Sequence, residues 1–111
     1  MTPRKDAQNK LEQAMKKRQT QKYIFRLFIS GATAKSTRAI ENIRQLCEEY
    51  LPGRYELEII DIFQHPDMAK SEQVIAAPTL IKKLPLPLRK YIGDLSDPER
   101  VLVGLELKVK E

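Results

Sequence analysis

The sequence holds one cysteine, one histidine, no tryptophan and four glycines in 111 residues. A lone cysteine excludes an internal disulfide, and with a single histidine it cannot complete a structural zinc site. Gly31 and Gly93 stand apart from other glycines, so there is no phosphate-cradling loop. No apolar run approaches the roughly 20 residues that a transmembrane helix needs. The opening Met1-Thr-Pro-Arg-Lys-Asp6 leads into a polar stretch, unlike a secretory signal. A cytoplasmic domain without metal or cofactor is expected. A hydrophobic fraction of 41% beside a charged fraction of 32% is the composition of one ordinary globular domain.

Charge is plentiful but uneven. Residues 1–22 carry seven basic side chains (Arg4, Lys5, Lys10, Lys16, Lys17, Arg18, Lys22) against Asp6 and Glu12, which accounts for the whole net charge of +5. The remaining 13 basic residues of 20 balance the remaining 13 acidic residues of 15. Residues 1–22 are therefore read as a basic N-terminal extension ahead of a neutral domain over 23–111. The extension is flexible or a short helix, since Ala7, Leu11, Ala14 and Met15 recur at helical spacing. Few aromatics stand ready to stack bases and no DNA-binding pattern is present, so nucleic acid is not the expected partner, and neither is a membrane.

Along the domain, Tyr23-Ile-Phe-Arg-Leu-Phe-Ile29 reads as a buried strand. Ser30-Gly31-Ala32 breaks it, and Thr33 is placed to cap a helix over Ala34 to Tyr50, where Ala39, Ile40, Ile43, Leu46, Cys47 and Tyr50 form one apolar stripe. Leu51-Pro52-Gly53 ends that helix, and Tyr55 to Ile62 is a second strand, giving a parallel βαβ unit. His65-Pro66-Asp67 opens a short helix predicted to run to Ile75. Pro78-Thr-Leu-Ile81 is strand-like, Leu84-Pro-Leu-Pro-Leu88 a proline-punctuated connection, and Arg89-Lys-Tyr-Ile92 a short strand. Ser96-Asp-Pro-Glu99 has capping-box spacing. The tail that follows carries two periods at once. Val101, Leu102, Leu105 and Val109 suit a helix face, while Val101, Val103, Leu105, Leu107 and Val109 alternate as in a strand.

This order of elements resembles the thioredoxin fold, in which the proline of the Pro-Thr-Leu segment is usually cis and faces the start of the first helix. Redox chemistry would need a low-pKa thiol there, where the helix dipole favours thiolate. Gly31-Ala-Thr-Ala-Lys-Ser36 has none, and Cys47 falls on the apolar stripe as a buried structural thiol. Glu48-Glu49 reads as a solvated pair and His65 as a turn residue without a paired nucleophile. No catalytic constellation is visible, and an enzyme is not expected.

Several segments are similar to those of the KaiB family. They are Leu27-Phe-Ile-Ser-Gly31, Ser36-Thr-Arg-Ala39, Ile59-Ile-Asp61, Ala77-Pro-Thr-Leu80, Leu84-Pro-Leu-Pro87, Ile92-Gly-Asp-Leu-Ser96 and Glu99-Arg-Val-Leu-Val-Gly-Leu105. The resemblance runs without gaps from about Tyr23 to Leu107. It implies a non-enzymatic clock or clock-derived regulator with a metamorphic α/β, thioredoxin-like fold. The ground state, βαββααβ, is a dimer or tetramer; the fold-switched state, βαβαββα, is a thioredoxin-like monomer. The ground-state oligomer is the form expected in a structure.

The partners implied are a KaiC-type ring ATPase, and with it KaiA or the pathway of a histidine kinase whose sensor domain is KaiB-like. Carried over residue by residue, the fold-switch positions are Tyr23, Gly104 and Glu106, and Pro78, Pro85 and Pro87 join them as prolines of the half that interconversion must repack. The partner-binding positions are Arg38, Lys82, Arg89 and Lys90, with Glu56 and Glu58 on a contact strand. Two departures stand out. Clock members have three prolines where this chain has Pro85-Leu86-Pro87, and a small residue and a lysine in place of Glu56 and Glu58. The added negative charge changes what that strand would attract. A divergent member working with a KaiC-type ATPase in a stress or other regulatory pathway therefore stands beside the clock reading. So does a thioredoxin-like adaptor or sensor module that binds a histidine kinase or a stress-response partner.

Overall fold

The computed structural model describes residues 22–107. The basic extension up to residue 21 and the end of the tail, Val109 included, lie outside the described residues. Seven elements follow one another: β1 (Tyr23–Ile29), α1 (Ala34–Tyr50), β2 (Tyr55–Asp61), α2 (Pro66–Ser71), β3 (Thr79–Leu84), β4 (Arg89–Ile92) and α3 (Pro98–Gly104). The order is βαβαββα, that of the thioredoxin-like form and not the expected ground-state arrangement.

One four-stranded sheet runs β2-β1-β3-β4. β1 and β2 are parallel, in register from Tyr23–Tyr55 to Ile29–Asp61, as a strand–helix–strand crossover requires. β3 runs antiparallel to both β1 and β4. Period-two alternation sends Tyr23, Phe25 and Leu27 to one face, where they pack with Ala39, Ile43, Leu46 and Cys47 of α1 and with Val101 and Leu105 at α3. The opposite face has a smaller core of Phe28, Ile60 and Ile81 under Ala69 of α2. Thr33 caps α1 as expected, its Oγ1 accepting from the Ser36 N–H at 3.1 Å. Gly53 turns the chain into β2 with a left-handed φ of 69°.

The second half departs from expectation in two details. α2 stops at Ser71 and not at Ile75: Glu72 closes it, and Gln73 takes a left-handed φ of 56° that no helix continues. α3 is capped by Asp97 and not by Ser96. The Asp97 Oδ1 accepts from the Arg100 N–H at 3.3 Å, and Pro98 supplies the first helical residue, where its missing N–H costs nothing. Asp97 and Pro98 start a helix at the head of the doubly periodic segment, and Val101 and Leu105, one turn apart, are both fully buried. That local start accounts for a helix where the alternating pattern also allowed a strand, and Val103, which a strand would bury beside Val101 and Leu105, is 77% exposed. The Ala77–Pro78 bond is cis as expected; Leu84–Pro85 and Leu86–Pro87, for which the sequence predicts no isomer, are cis too.

Candidate partner-docking face

At the start of α1, the place where a thioredoxin would hold its thiols, the chain places backbone and a carboxylate instead. Asp61 Oδ1 accepts from the Gly31 N–H at 3.3 Å and from the Phe63 N–H at 2.9 Å, folding the turn after β2 over Gly31. Cys47 is buried further along α1, on the apolar stripe that faces the larger core. Burial pushes its thiol up to about 12, and the neighbouring Glu48 charge adds to the shift. Such a thiol stays protonated and is a poor nucleophile at neutral pH.

Beside that turn the chain builds a groove of about 540 Å³. One wall is Ile62, Phe63 and Pro66, the floor is Ala69 and Lys70 of α2, and the far wall is Gln73, Val74 and Ile75. Its shape has a backbone cause. The His65 N–H donates to the Asp61 carbonyl at 2.9 Å, pinning the entry to α2, and the Val74 N–H donates to the Ala69 carbonyl at 2.8 Å, pinning the exit. Val74 packs on the small core of Phe28, Ile60 and Ile81. The walls are left open to solvent: Phe63 is 73% exposed and Ile75 91%. Two large apolar side chains flanking an apolar groove with one cation, Lys70, form a surface that suits a protein partner better than a small polar ligand.

The positions expected to bind a partner fall elsewhere, each already engaged. Arg38 on α1 lies 3.6 Å from Asp94, whose carboxyl Ser96 holds below the usual carboxylate range by hydrogen bonding. Glu56 pairs with Lys22 at 2.9 Å and Glu58 with Arg26 at 2.8 Å. Arg89 pairs with Glu106 at 2.7 Å, so a predicted contact residue and a predicted switch residue meet. The Lys90 ammonium donates to the Glu72 carbonyl at 2.5 Å. Lys82 departs from the expectation of a surface contact: it is 1% exposed, because its register opposite Phe25 points it to the core face of β3. Of the other switch positions, Tyr23 is buried against Phe25 under the Arg54 guanidinium. Pro78 is buried, Pro85 half-buried and Pro87 exposed. Gly104 ends α3 so close to β4 that an added Cβ would sit 3.2 Å from the Tyr91 ring.

Sequence reasoning missed Phe63 and Ile75. Their signal was present as large apolar residues, one in the turn after β2 and one where the apolar pattern of α2 runs on past the end of the helix.

A family model, the KaiB domain, matches residues 26–107. The chain belongs to the KaiB family. Circadian clock oscillator protein KaiB of Microcystis aeruginosa is 44% identical over 89 residues, which cover 80% of this chain and 86% of that protein. Its counterpart in Synechococcus elongatus is 45% identical over 85 residues, 77% of this chain and 83% of the relative. These KaiB relatives are named as clock oscillator proteins and not as enzymes. The fold is thioredoxin-like. The N-terminal domain of Synechococcus elongatus SasA superposes with a TM-score of 0.65 at 17% identity, covering 82% of this chain and 90% of that one. Mitochondrial thioredoxin 3 of Saccharomyces cerevisiae gives 0.62 at 21% identity, with 78% of each chain covered. Among the described residues, no helix is long and apolar enough to cross a membrane.

Proposed function

We propose that this KaiB-family chain is a non-enzymatic cytoplasmic regulator that docks, in its thioredoxin-like form, on a ring ATPase of the KaiC type and thereby modulates clock or clock-derived signalling. The observation that carries the reading is the exposed apolar groove between Phe63 and Ile75, formed where β2, α2 and the segment leading to β3 meet. The docking face is this groove. Arg38, Arg89 and Lys90 lie outside it as flanking charge, and Glu56 and Glu58 set the charge of the outer strand; Lys82, buried in this form, is left out. Docking competes with a ground-state dimer or tetramer, and the ATPase selects the monomer by its differential affinity for the two forms. Tyr23, Pro78, Pro85, Pro87, Gly104 and Glu106 are the positions at which the two forms diverge. Engagement of KaiA, or displacement of a KaiB-like sensor domain of a histidine kinase, follows from that complex.

Size-exclusion chromatography with light scattering tests this, on the chain alone and after long incubation with the host's KaiC-type ATPase and ATP. A dimer or tetramer that slowly gives way to a co-eluting complex is expected. A persistent monomer that never co-elutes with the ATPase would overturn the proposal in favour of an adaptor for a histidine kinase or a stress-response partner.

A further inference from the structure

The sheet face beneath α2 is apolar at one end and ionic at the other. Glu72, the residue that closes α2, has a side chain only 12% exposed. Its Oε1 accepts from Arg26 Nη1 and, at 2.6 Å, from Lys83 Nζ, while its carbonyl accepts from Lys90 Nζ at 2.5 Å. Arg26 turns its Nε to Glu58 at 2.8 Å. Arg26 stands on β1, Glu58 on β2, Lys83 on β3 and Lys90 on β4, so one residue at the end of a six-residue helix is linked to every strand of the sheet. Lys83 is available because β3 bulges there: the register passes from Leu84–Ile24 to Lys82–Phe25 and leaves Lys83 without a partner on β1. Immediately beyond Glu72, Gln73 turns with its left-handed backbone, and Val74 and Ile75 form the far wall of the groove without regular secondary structure of their own.

We infer that Glu72 is a positioning residue for the docking groove: the Arg26–Glu72–Lys83 ion network clamps the end of α2 to the sheet and so sets where Val74 and Ile75 stand. The inference rests on the reading of the groove as the docking face. Glu72 is largely shielded from water and its two cations partly so, which lets salt screen the network less than fully exposed pairs, and neutralising Glu72 leaves the two cations without the charge between them.

Amide hydrogen exchange on the full chain tests the clamp, comparing the parent with Glu72→Gln, which keeps shape without charge, and Lys83→Arg, which keeps charge. In Glu72→Gln, exchange at Gln73 and Val74 is expected to rise about tenfold while Phe25 and Leu27 in β1 stay within about twofold; Lys83→Arg behaves like the parent. A uniform rise across the chain, or none at Val74, overturns the clamp. Affinity for the KaiC-type ATPase is then measured on the same variants, and a parallel loss of about tenfold in Glu72→Gln supports the positioning role. Raised local exchange with unchanged affinity would instead overturn the groove as the docking face, and with it the role of Glu72 there.

Discussion

In the half of the domain formed by β1, α1 and β2, the described residues with a left-handed backbone are glycines, Gly31 and Gly53. In the half that follows, Gln73, Leu95 and Glu106 take φ values of 56°, 63° and 53°. Each such residue costs about 1–2 kcal/mol relative to an unstrained backbone. The same division sorts the large hydrophobic residues left exposed: Phe63, Ile75, Leu84, Leu86, Leu88, Ile92 and Val103 all lie beyond β2. A helix of 17 residues serves the first half, against helices of 6 and 7 in the second. The first half buries its apolar surface with local geometry each residue tolerates. The second holds strain and exposes apolar side chains, as a region built to meet a partner or to repack would.

Substitutions in the larger core, one contributed by each half, test this division most severely. Ile43→Ala, in the buried stripe of α1, should cost about 3 kcal/mol of global stability, read as a fall in the urea midpoint. Leu105→Ala removes a fully buried side chain beside α3, and its first effect should be faster amide exchange in α3 and β4 while β1 stays protected. Equal loosening of β1 in both variants would erase the distinction.

Backbone strain gives a pair of opposite sign. A Cβ at Gly53 would meet open space, so Gly53→Ala is penalised only by its φ of 69° and should destabilise by about 1 kcal/mol. Gln73→Gly relieves the same conformation at an exposed site and should stabilise by about 1 kcal/mol in the same urea experiment.

A pH effect belongs to the first half. The Cys47 thiol is pushed from 9.0 up to about 12 by burial, and the Tyr55 phenol from 10.0 up to about 12 by its hydrogen bond to Glu48. Between those values the unfolded chain releases protons that the folded chain keeps, so stability should fall as pH rises from 9 towards 12. Cys47→Ala should flatten the lower part of that decline.

The smallest effect is expected at Gly104. Alanine gains up to about 1 kcal/mol of helix propensity, but its Cβ would lie 3.2 Å from the Tyr91 ring, which must yield. A net shift of about 0.5 kcal/mol towards the helical tail is predicted, seen as a larger monomer fraction by light scattering. An unchanged or smaller monomer fraction would mean that the ring does not yield.

The unequal legibility of the two halves has the same physical origin. The alternation of Tyr23, Phe25 and Leu27 and the stripe of Ala39, Ile43 and Cys47 each have one period, so strand, helix, cap and parallel crossover could be read directly. The segment from Val101 carries two periods, and the choice fell to Asp97 and Pro98 at its head, signals worth only about 1 kcal/mol. The end of α2 was unreadable for another reason: Val74 and Ile75 continue its apolar pattern, but contacts made by Glu72 with residues distant in sequence accompany its end at Ser71. The groove depended on that termination and stayed hidden with it. Lys82, one of two adjacent lysines in β3, gave no local sign that its register, and not that of Lys83, would bury it.

The central claim is that partner docking resides in the second half, at the groove. The direct measurement is the affinity of the KaiC-type ATPase, with ATP, for the parent, for a Phe63→Ala, Ile75→Ala double variant, and for Glu41→Ala on the exposed face of α1 as the control from the first half. The double variant removes exposed side chains, so its stability should stay within about 0.5 kcal/mol of the parent. Its affinity should fall at least about thirtyfold, with Glu41→Ala unchanged. Parent-like affinity in the double variant, with its fold intact, would contradict the account.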